Sequence, residues 1–411
     1  MSSDNAHPLW RQRDYLCLTI GETVSTIGGA AASFALPLIV LAMTESAFAA
    51  GVVATAGMIG NLTALAFVGN LVDGHSRRAA MLVGQVTRWV TWSMLAILVT
   101  LGWFDVAALA ALSLAGGAAT ALYRTAEAGA LKTLVRQEQL PTAVAVIEGR
   151  GAAADLAGAP LGALLLSLAL PLPLWINAAS FAVAIIGIAL IRTPLARPDA
   201  ARPEVYRKAL SAGFRYLRGQ RAFLAIVISH GLVNFGLNAF TFAMIVILQR
   251  DDHPYWLISL YPAAAGIGLL AGSLLAPHLV ARMTIGRLAS TSVCLTVATM
   301  TAINLAIDHP PLILAAVVVG SLSAPASNAA TVSDLAVVTP AHLQGRVFAA
   351  DELATGIAVP WGILLAGLMV ENAGSSPTLA SLTAVVAVAA GVLLSSADVR
   401  SLPRLAEVEQ A

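Results

Sequence analysis

Residues 69–78 read GNLVDGHSRR, a short charged stretch between two long apolar runs. The run before it covers 48–68 and the run after it 81–101, and each is long enough to cross a bilayer as a helix. A connection this short makes the two helices antiparallel neighbours. Arg77 and Arg78 assign it to the cytoplasmic side, because Lys and Arg are retained there in short loops. The sequence therefore predicts a corner at the inner membrane surface.

The composition of the chain also indicates a membrane protein. Hydrophobic residues make up 58% of its 411 residues and charged residues only 11%, which excludes an ordinary soluble domain. The net charge of +1 gives no indication of nucleic-acid binding, and no nucleic-acid partner is expected. Cys17 and Cys294 are isolated in apolar runs, and no His or Cys cluster has metal-ligand spacing, so we expect no disulfide and no metal site.

Twelve apolar runs follow one another along the chain, and each can span a bilayer. Their approximate bounds are 15–42, 46–68, 79–101, 105–123, 143–170, 172–191, 222–248, 255–280, 287–307, 311–331, 347–370 and 377–396. Of the 23 Lys and Arg residues, only Arg250 falls in a loop assigned to the outside. This bias predicts a plasma-membrane protein with both termini in the cytoplasm.

The chain repeats part of its pattern 203 residues later. Gly69-x-Leu71 recurs as Gly272-x-Leu274, within a matching order of apolar runs. The pattern predicts an all-α membrane protein made of two six-helix halves. The predicted divisions are 1–191 for the first half, 192–221 for a cytoplasmic linker, 222–400 for the second half and 401–411 for a cytoplasmic tail.

The linker contains a candidate amphipathic helix. Residues 204–218 place Leu210, Phe214 and Leu217 on one helical face, and basic residues largely elsewhere. A helix lying on the inner membrane surface would satisfy both faces. A regulatory or partner-binding segment is the alternative.

Two acids inside the apolar runs are candidates for proton coupling. Glu22 lies in the first run and Asp155 in the fifth, where a carboxylate costs several kcal/mol unless it faces a cavity or is protonated. Ser25 and Thr26 follow Glu22 at helical spacing and are candidates for a substrate cavity. Packing between helices is the alternative for these small polar residues.

A third set of polar residues lies in the seventh run. His230, Asn234 and Asn238 are spaced by four, so their side chains share one helical face. They can bind a substrate or hold helices together by hydrogen bonds, and the sequence does not decide between these roles.

Other acids stand near predicted span ends. For Glu127 we expect a local ion pair at the end of the fourth run, with Arg124 nearby. Asp334 and Asp351 are expected to be interfacial ions at the ends of the tenth and eleventh runs.

The corner at 69–78 resembles the loop signature of the major facilitator superfamily between its second and third helices. The resemblance implies a cytoplasmic latch formed by Gly69, Asp73, Arg77 and Arg78. In this interpretation Asp73 faces the positive N-terminal end of a helix in the other half and favours the state closed toward the cytoplasm. Gly74 departs from the signature, since the family usually has a basic residue there.

Further motifs resemble the bacterial drug, macrolide and siderophore exporter branch of that family. They are Gly21-Glu22-x-x-Ser25-x-x-Gly28, Leu36-Pro37-Leu38, the corner and the stretch Leu134–Gln139. Gly158-Ala159-Pro160-Leu161-Gly162 resembles the stretch that bends the fifth helix of family exporters, so Pro160 and Gly162 are assigned to a helix bend.

The resemblance implies a twelve-helix secondary transporter with a central cavity, and not an enzyme. We expect a proton-coupled exporter that works by alternating access and exchanges protons for drugs, natural products or siderophores. No phosphate-binding glycine loop is present, and no cofactor is expected. The alternatives are a proton symporter or facilitator that imports a small polar solute, and a non-transporting scaffold or sensor. The expected partners are a small-molecule substrate, protons and the lipid bilayer, and a monomer is favoured.

Overall fold

The computed structural model describes residues 9–74, 76–195 and 206–404, without the side chains of residues 66, 69–74 and 206–209. These residues form helices joined by short connections and include no strand. Twelve spans among them are long and apolar enough to cross a membrane. The predicted all-α membrane fold with twelve spans is confirmed.

The chain divides into two compact units, Met1–Pro203 and Glu204–Ala411. The first unit has one helix for each of its six spans. These helices are α1 (Arg13–Thr44), α2 (Ala47–Gly74), α3 (Arg77–Leu101), α4 (Val106–Leu134), α5 (Leu140–Leu168) and α6 (Leu172–Ala189).

The second unit has more helices for the same number of spans. They are α7 (Tyr206–Gly219), α8 (Arg221–Arg250), α9 (Tyr255–Arg282), α10 (Ile285–Leu305), α11 (Pro310–Ser321), α12 (Ala324–Val338), α13 (Gln344–Gly356), α14 (Val359–Asn372), α15 (Ser375–Ser395) and α16 (Ala397–Arg400). The tenth span consists of α11 and α12, and the eleventh of α13 and α14.

One packing scheme occurs in both units. In the first unit α1 packs on α5 and α6, α3 packs on α4 and α6, and α2 packs on α4. In the second unit α8 packs on α14 and α15, α10 packs on α11 and α15, and α9 packs on α11 and α12. The repeat in the sequence therefore corresponds to a repeated arrangement of helices.

Glycines permit the closest of these crossings. A Cβ at Gly117 of α4 would overlap the carbonyl of Gly57 in α2, and a Cβ at Gly60 would overlap the carbonyl of Leu114. In the second unit, a Cβ at Gly268 of α9 would overlap a carbonyl of α11. Both units therefore bring backbones into direct contact at corresponding crossings, as small residues allow between membrane helices.

The helix α3 has a polar buried face and an apolar exposed face. Gln85 and Arg88 are buried in the unit. Its exposed large apolar residues follow a helical repeat and are Val83, Val86, Trp89, Val90, Met94, Ile97 and Leu101. Such an arrangement would be unfavourable in water and is stable when lipid covers the apolar face.

The connection between α2 and α3 is shorter than predicted. α2 continues to Gly74 and α3 begins at Arg77, where the Ser76 side chain accepts a hydrogen bond from the Ala79 amide at 3.2 Å. Most of the predicted corner is thus helical, because Ser76 supplies the N-cap that starts α3.

The amphipathic segment of the linker forms α7. Its residues Phe214 and Leu217 pack with Val347 and Ala350 of α13. The helix therefore packs its apolar face on α13, and its position on the inner membrane surface stays a prediction.

Prolines lie both inside continuous helices and at the starts of helices. Pro160 lies inside α5, which continues from Leu140 to Leu168, and Gly162 packs against α1. In the second unit Pro325 and Pro360 each occupy the second position of a new helix, where a missing amide donor is tolerated. The two helix breaks therefore lie in the second unit, while the bend assigned to Pro160 and Gly162 stays a prediction.

Candidate functional site

A group of charged side chains is buried inside the first unit. Glu22 of α1 is 5% exposed, Arg88 of α3 7% and Glu127 of α4 5%, and the side chain of Arg150 of α5 is 9% exposed. All four lie in spans that can cross a membrane. Their formal charges cancel, as buried charges require.

Glu22 is held by two residues of α3. Its Oε2 accepts a hydrogen bond from Gln85 Nε2 at 2.7 Å, and its Oε1 lies 3.6 Å from Arg88 Nη1. Arg88 Nη1 also donates to Gln85 Oε1 at 3.0 Å. The amide of Gln85 therefore connects the acid to the base.

Two aromatic rings hold the guanidinium of Arg88. Its Cζ lies 4.3 Å from the ring centroid of Phe181 and 5.4 Å from that of Tyr123. These distances are within the range of cation–π attraction. Among the described residues Arg88 Nε has no hydrogen-bond partner, so the rings supply part of its environment.

The second ion pair joins α4 to α5. Arg150 donates to Glu127 Oε1 from Nη2 at 3.2 Å and from Nη1 at 3.3 Å. This corrects the expected local pair with Arg124, which is exposed. The reason is that α4 continues to Leu134, beyond the predicted end of the span, and Glu127 lies on its buried face.

The two pairs act on each other electrostatically. The charge of Arg88 attracts Glu127 as well as Glu22. Both acids also interact electrostatically with Tyr123. A proton added to either acid would leave a buried cation without its counter-charge, at a cost of several kcal/mol. The group can therefore convert protonation into a driving force for rearrangement.

The other candidates of the first unit have separate environments. Asp155 is exposed, with no hydrogen bond or ion pair to the described residues. Ser25 is fully buried and its hydroxyl has no partner among the described residues, whereas Thr26 donates to the Glu22 carbonyl of its own helix at 2.7 Å. The structure thus does not join Asp155 to the Glu22 group, and the roles assigned to these residues stay predictions.

The latch residues are described only in part. The side chains of Gly69 and Asp73 lie outside the described part of the structure. Arg77 donates to Thr133 Oγ1 at 2.7 Å and Arg78 to the Ala189 carbonyl at 2.6 Å, both within the first unit. The latch stays a prediction, and its two basic residues also connect α3 to α4 and α6.

The second unit contains a cavity of about 340 Å³. Its walls include apolar residues of α8 and α10, and its polar lining includes His230, Asn234, Thr296, Asn328, Asp351 and Thr355. Two of the three α8 residues predicted for a substrate cavity, His230 and Asn234, line this space. The third, Asn238, is not in its lining and donates to the carbonyl of Asn234 at 2.8 Å.

The cavity lies beside both helix breaks of the second unit. Ala324 begins α12 and Thr355 lies in the last turn of α13, and both line the cavity. Asn234 Nδ2 donates to the Thr355 carbonyl at 3.2 Å. Discontinuous membrane helices commonly mark binding sites, because their free backbone groups are satisfied by ligands, side chains or water.

The acids near the breaks differ from the expected interfacial ions. Asp334 is only 2% exposed, and Asp351 is half-buried in the lining of the cavity. The sequence also did not identify Gln85 and Arg88 as partners of Glu22. A signal was present, since Gln85, Arg88 and Thr91 recur every three residues on one face of an apolar run.

Within the described part of the chain, no group of three or more His, Cys, Asp and Glu residues could hold a metal ion.

Solved structures share this fold. The nucleoside transporter NupG has a TM-score of 0.73 at 14% identity, covering 92% of this chain and 98% of that chain. A bacterial homologue of the iron transporter ferroportin, in an inward-facing state, has a TM-score of 0.71 at 16% identity, with 94% and 99% covered. A POT family transporter in complex with a thioalcohol-conjugated peptide has a TM-score of 0.70 at 10% identity, with 92% and 94% covered. At these identities the likeness shows the fold alone.

A search of curated proteins finds no match to this sequence. The family comparison does find one: residues 18–349 match the Major Facilitator Superfamily. Because this match covers well over half of the chain, the chain belongs to the major facilitator superfamily and is a multi-pass membrane transporter, not an enzyme.

Proposed function

We propose that this transporter is a proton-coupled exporter that exchanges protons for drugs, natural products or siderophores by alternating access. It would act in the plasma membrane with both termini in the cytoplasm. The observation that carries the proposal is the buried contact of Glu22 with Gln85 and Arg88. An ionisable group inside a membrane span is by default a candidate for proton transfer.

Protonation of Glu22 would remove the counter-charge of Arg88. The guanidinium would then be buried without an acid at 3.6 Å, which favours any conformation that gives it another partner or water. Proton binding outside and release inside would thereby bias two states of the transporter in opposite directions. Asp155, which is exposed in the first unit, is the second candidate for this role.

The direction of transport is supported by the sequence of α5. Residues 158–162 resemble the corresponding stretch of family exporters, as described above. Gly158 and Gly162 both pack closely on α1, so substitution there would separate the two helices.

The test uses inside-out vesicles with an acidic lumen and a pH-sensitive dye. Lipophilic cations, macrolides and siderophores are added in turn, and an exporter should release protons from the lumen with one class. Glu22→Gln should abolish this release, while Glu148→Gln, at an exposed acid of α5, should not. Glu22→Asp retains an acid and should keep part of the release, which separates a coupling defect from a folding defect.

The proposal is wrong if Glu22→Gln and Asp155→Asn both leave proton-driven efflux intact. A competing function is the import of a small polar solute, favoured by the polar lining of the second-unit cavity. Whole cells would then accumulate the solute, and vesicles would show no release with any of the three classes.

A further inference from the structure

We propose that the second-unit cavity binds a small organic cation, with Asp351 as its counter-ion. This assignment rests on the proposed function, because it names the substrate class of that transporter. Asp351 lines a space of about 340 Å³, which is at the lower end of the sizes of small-molecule pockets.

The first step of the argument is charge. Among the residues lining the cavity there is no Lys or Arg, and Asp351 is the only acid. The Asp351 carboxylate has no hydrogen bond or ion pair to the described residues, although it lies in a membrane span. An uncompensated carboxylate there is costly, and a bound cation would supply the missing charge.

The second step is hydrogen bonding. Asn234 uses its amide nitrogen to bond the Thr355 carbonyl, and its Oδ1 has no partner among the described residues. The amide oxygen and the Asp351 carboxylate are both acceptors, so the site suits a ligand that donates N–H groups. An ammonium group has several donors and no acceptor.

The third step is the dipoles of the broken helices. Thr355 lies in the last turn of α13, whose negative end favours a cation. α12 begins at Ala324 beside the same cavity, and its positive end would favour an anion. A helix terminus carries only about half a charge, so the full charge of Asp351 dominates.

The last step is shape. Phe223, Val293 and Leu335 contribute apolar surface to the same cavity. A ligand with a short apolar body and one charged amine would match both the acid and these walls. The predicted class is therefore a small aryl- or alkylamine, and not a polyanion or a sugar.

The test compares three probes of nearly the same shape: phenethylamine, 2-phenylethanol and phenylacetate. Their binding to the purified full chain in detergent is measured by calorimetry. We expect phenethylamine to bind at least about tenfold more tightly than the neutral and anionic probes, as for a hydrogen bond to a charged group. Equal binding of the three probes, tighter binding of phenylacetate, or no binding of phenethylamine would overturn the assignment.

Substitutions at Asp351 and at its neighbour Glu352 test which acid is responsible for phenethylamine binding. Asp351→Asn should weaken phenethylamine binding at least about tenfold, and Asp351→Glu should retain most of it. Glu352→Gln, at the exposed neighbouring acid of α13, is the matched control and should bind as the unmodified chain does. Equal losses in Asp351→Asn and Glu352→Gln would show a general charge effect and contradict the assignment.

Failure of this assignment can be told from failure of proton coupling. The binding assay has no proton gradient, and Glu22 lies in the first unit, so Glu22→Gln should still bind phenethylamine. One decisive result is an unmodified chain that gives no proton release in vesicles and still binds phenethylamine more tightly than the other two probes. That result would refute the proton coupling and leave the cavity assignment in place.

Discussion

The two units of this transporter share a packing scheme and differ in how they treat buried charge. In the first unit every span is one helix, and Glu22 and Glu127 are each paired with an arginine. In the second unit two spans are broken, and the half-buried Asp351 has no partner among the described residues. The comparison indicates that one scaffold can hold a charge network in one copy and a polar-lined cavity in the other.

The difference has a local cause. Continuous helices satisfy their own backbone groups, so the first unit can use its interior for side-chain ion pairs. Broken helices release backbone groups and leave space between the fragments, which the second unit lines with polar side chains. Variants in both units can test this contrast.

Arg88→Met should be the most destabilising change. It leaves Glu22 buried without a counter-charge, at an expected cost of about 3–5 kcal/mol in the free energy of unfolding. The measurement is chemical unfolding in mixed micelles. The double variant Glu22→Gln/Arg88→Met should recover most of the loss, and an equal loss in both variants would contradict a charge-pair origin.

Glu127→Gln and Asp351→Asn compare a paired acid with an unpaired one. Glu127→Gln should cost about 2–3 kcal/mol, because Arg150 loses its counter-charge but keeps an acceptor. Asp351→Asn should leave stability unchanged or raise it, since no described partner is lost and an uncompensated charge is removed from the span. The measurement is thermal unfolding of both variants. A larger loss of stability in Asp351→Asn than in Glu127→Gln would refute the contrast between the paired and the unpaired acid.

Gly117→Ala and Gly268→Ala test the scaffold that the units share. Each added methyl would meet a backbone carbonyl of the facing helix, so both should lose about 1–3 kcal/mol. Gly391→Ala in α15 is the matched control, because a Cβ there has open space. Its stability should be unchanged or slightly raised by better helix propensity. A loss of stability in only one of these two variants, Gly117→Ala and Gly268→Ala, would show that the helix crossings of the two units are not equivalent.

Asn234→Ala should have the smallest effect. It removes the hydrogen bond to the Thr355 carbonyl at the α13–α14 break, and such bonds in membranes contribute about 0.6 kcal/mol on average. Asn238→Ala removes only a bond within α8 and should cost less. The measurement is chemical unfolding of both variants in mixed micelles. A larger loss of stability for Asn238→Ala than for Asn234→Ala would contradict a structural role of the hydrogen bond at the break.

Much of the fold was predictable because it depends on local pattern. Twelve apolar runs give twelve spans, and Glu22 stood out because a carboxylate in such a run needs a reason. His230 and Asn234 were placed on one face by their spacing alone, and both line the cavity. The partners of these residues were not predictable, since Gln85 and Arg88 meet Glu22 only when α3 packs near α1.

Glu127 shows the limit most clearly. Its neighbours in the chain suggested a pair with Arg124, but the structure pairs it with Arg150 on the next helix. Likewise α7 has the amphipathic pattern of a surface helix. Its apolar side chains are buried against the apolar face of α13, which the pattern of α7 does not specify. In both cases the pattern fixes which residues are turned inward, and the neighbouring helix fixes what they contact.

The order of residues was sufficient to predict the class of this protein: its membrane spans, their number and the polar residues that need a function. It could do so because the hydrophobic cost of exposure and the cost of intramembrane charge depend on residue type and helical period. The tertiary structure alone decided which charges are paired, which spans break and where a cavity remains. These outcomes depend on contacts between residues far apart in the chain, and no local pattern encodes such distances.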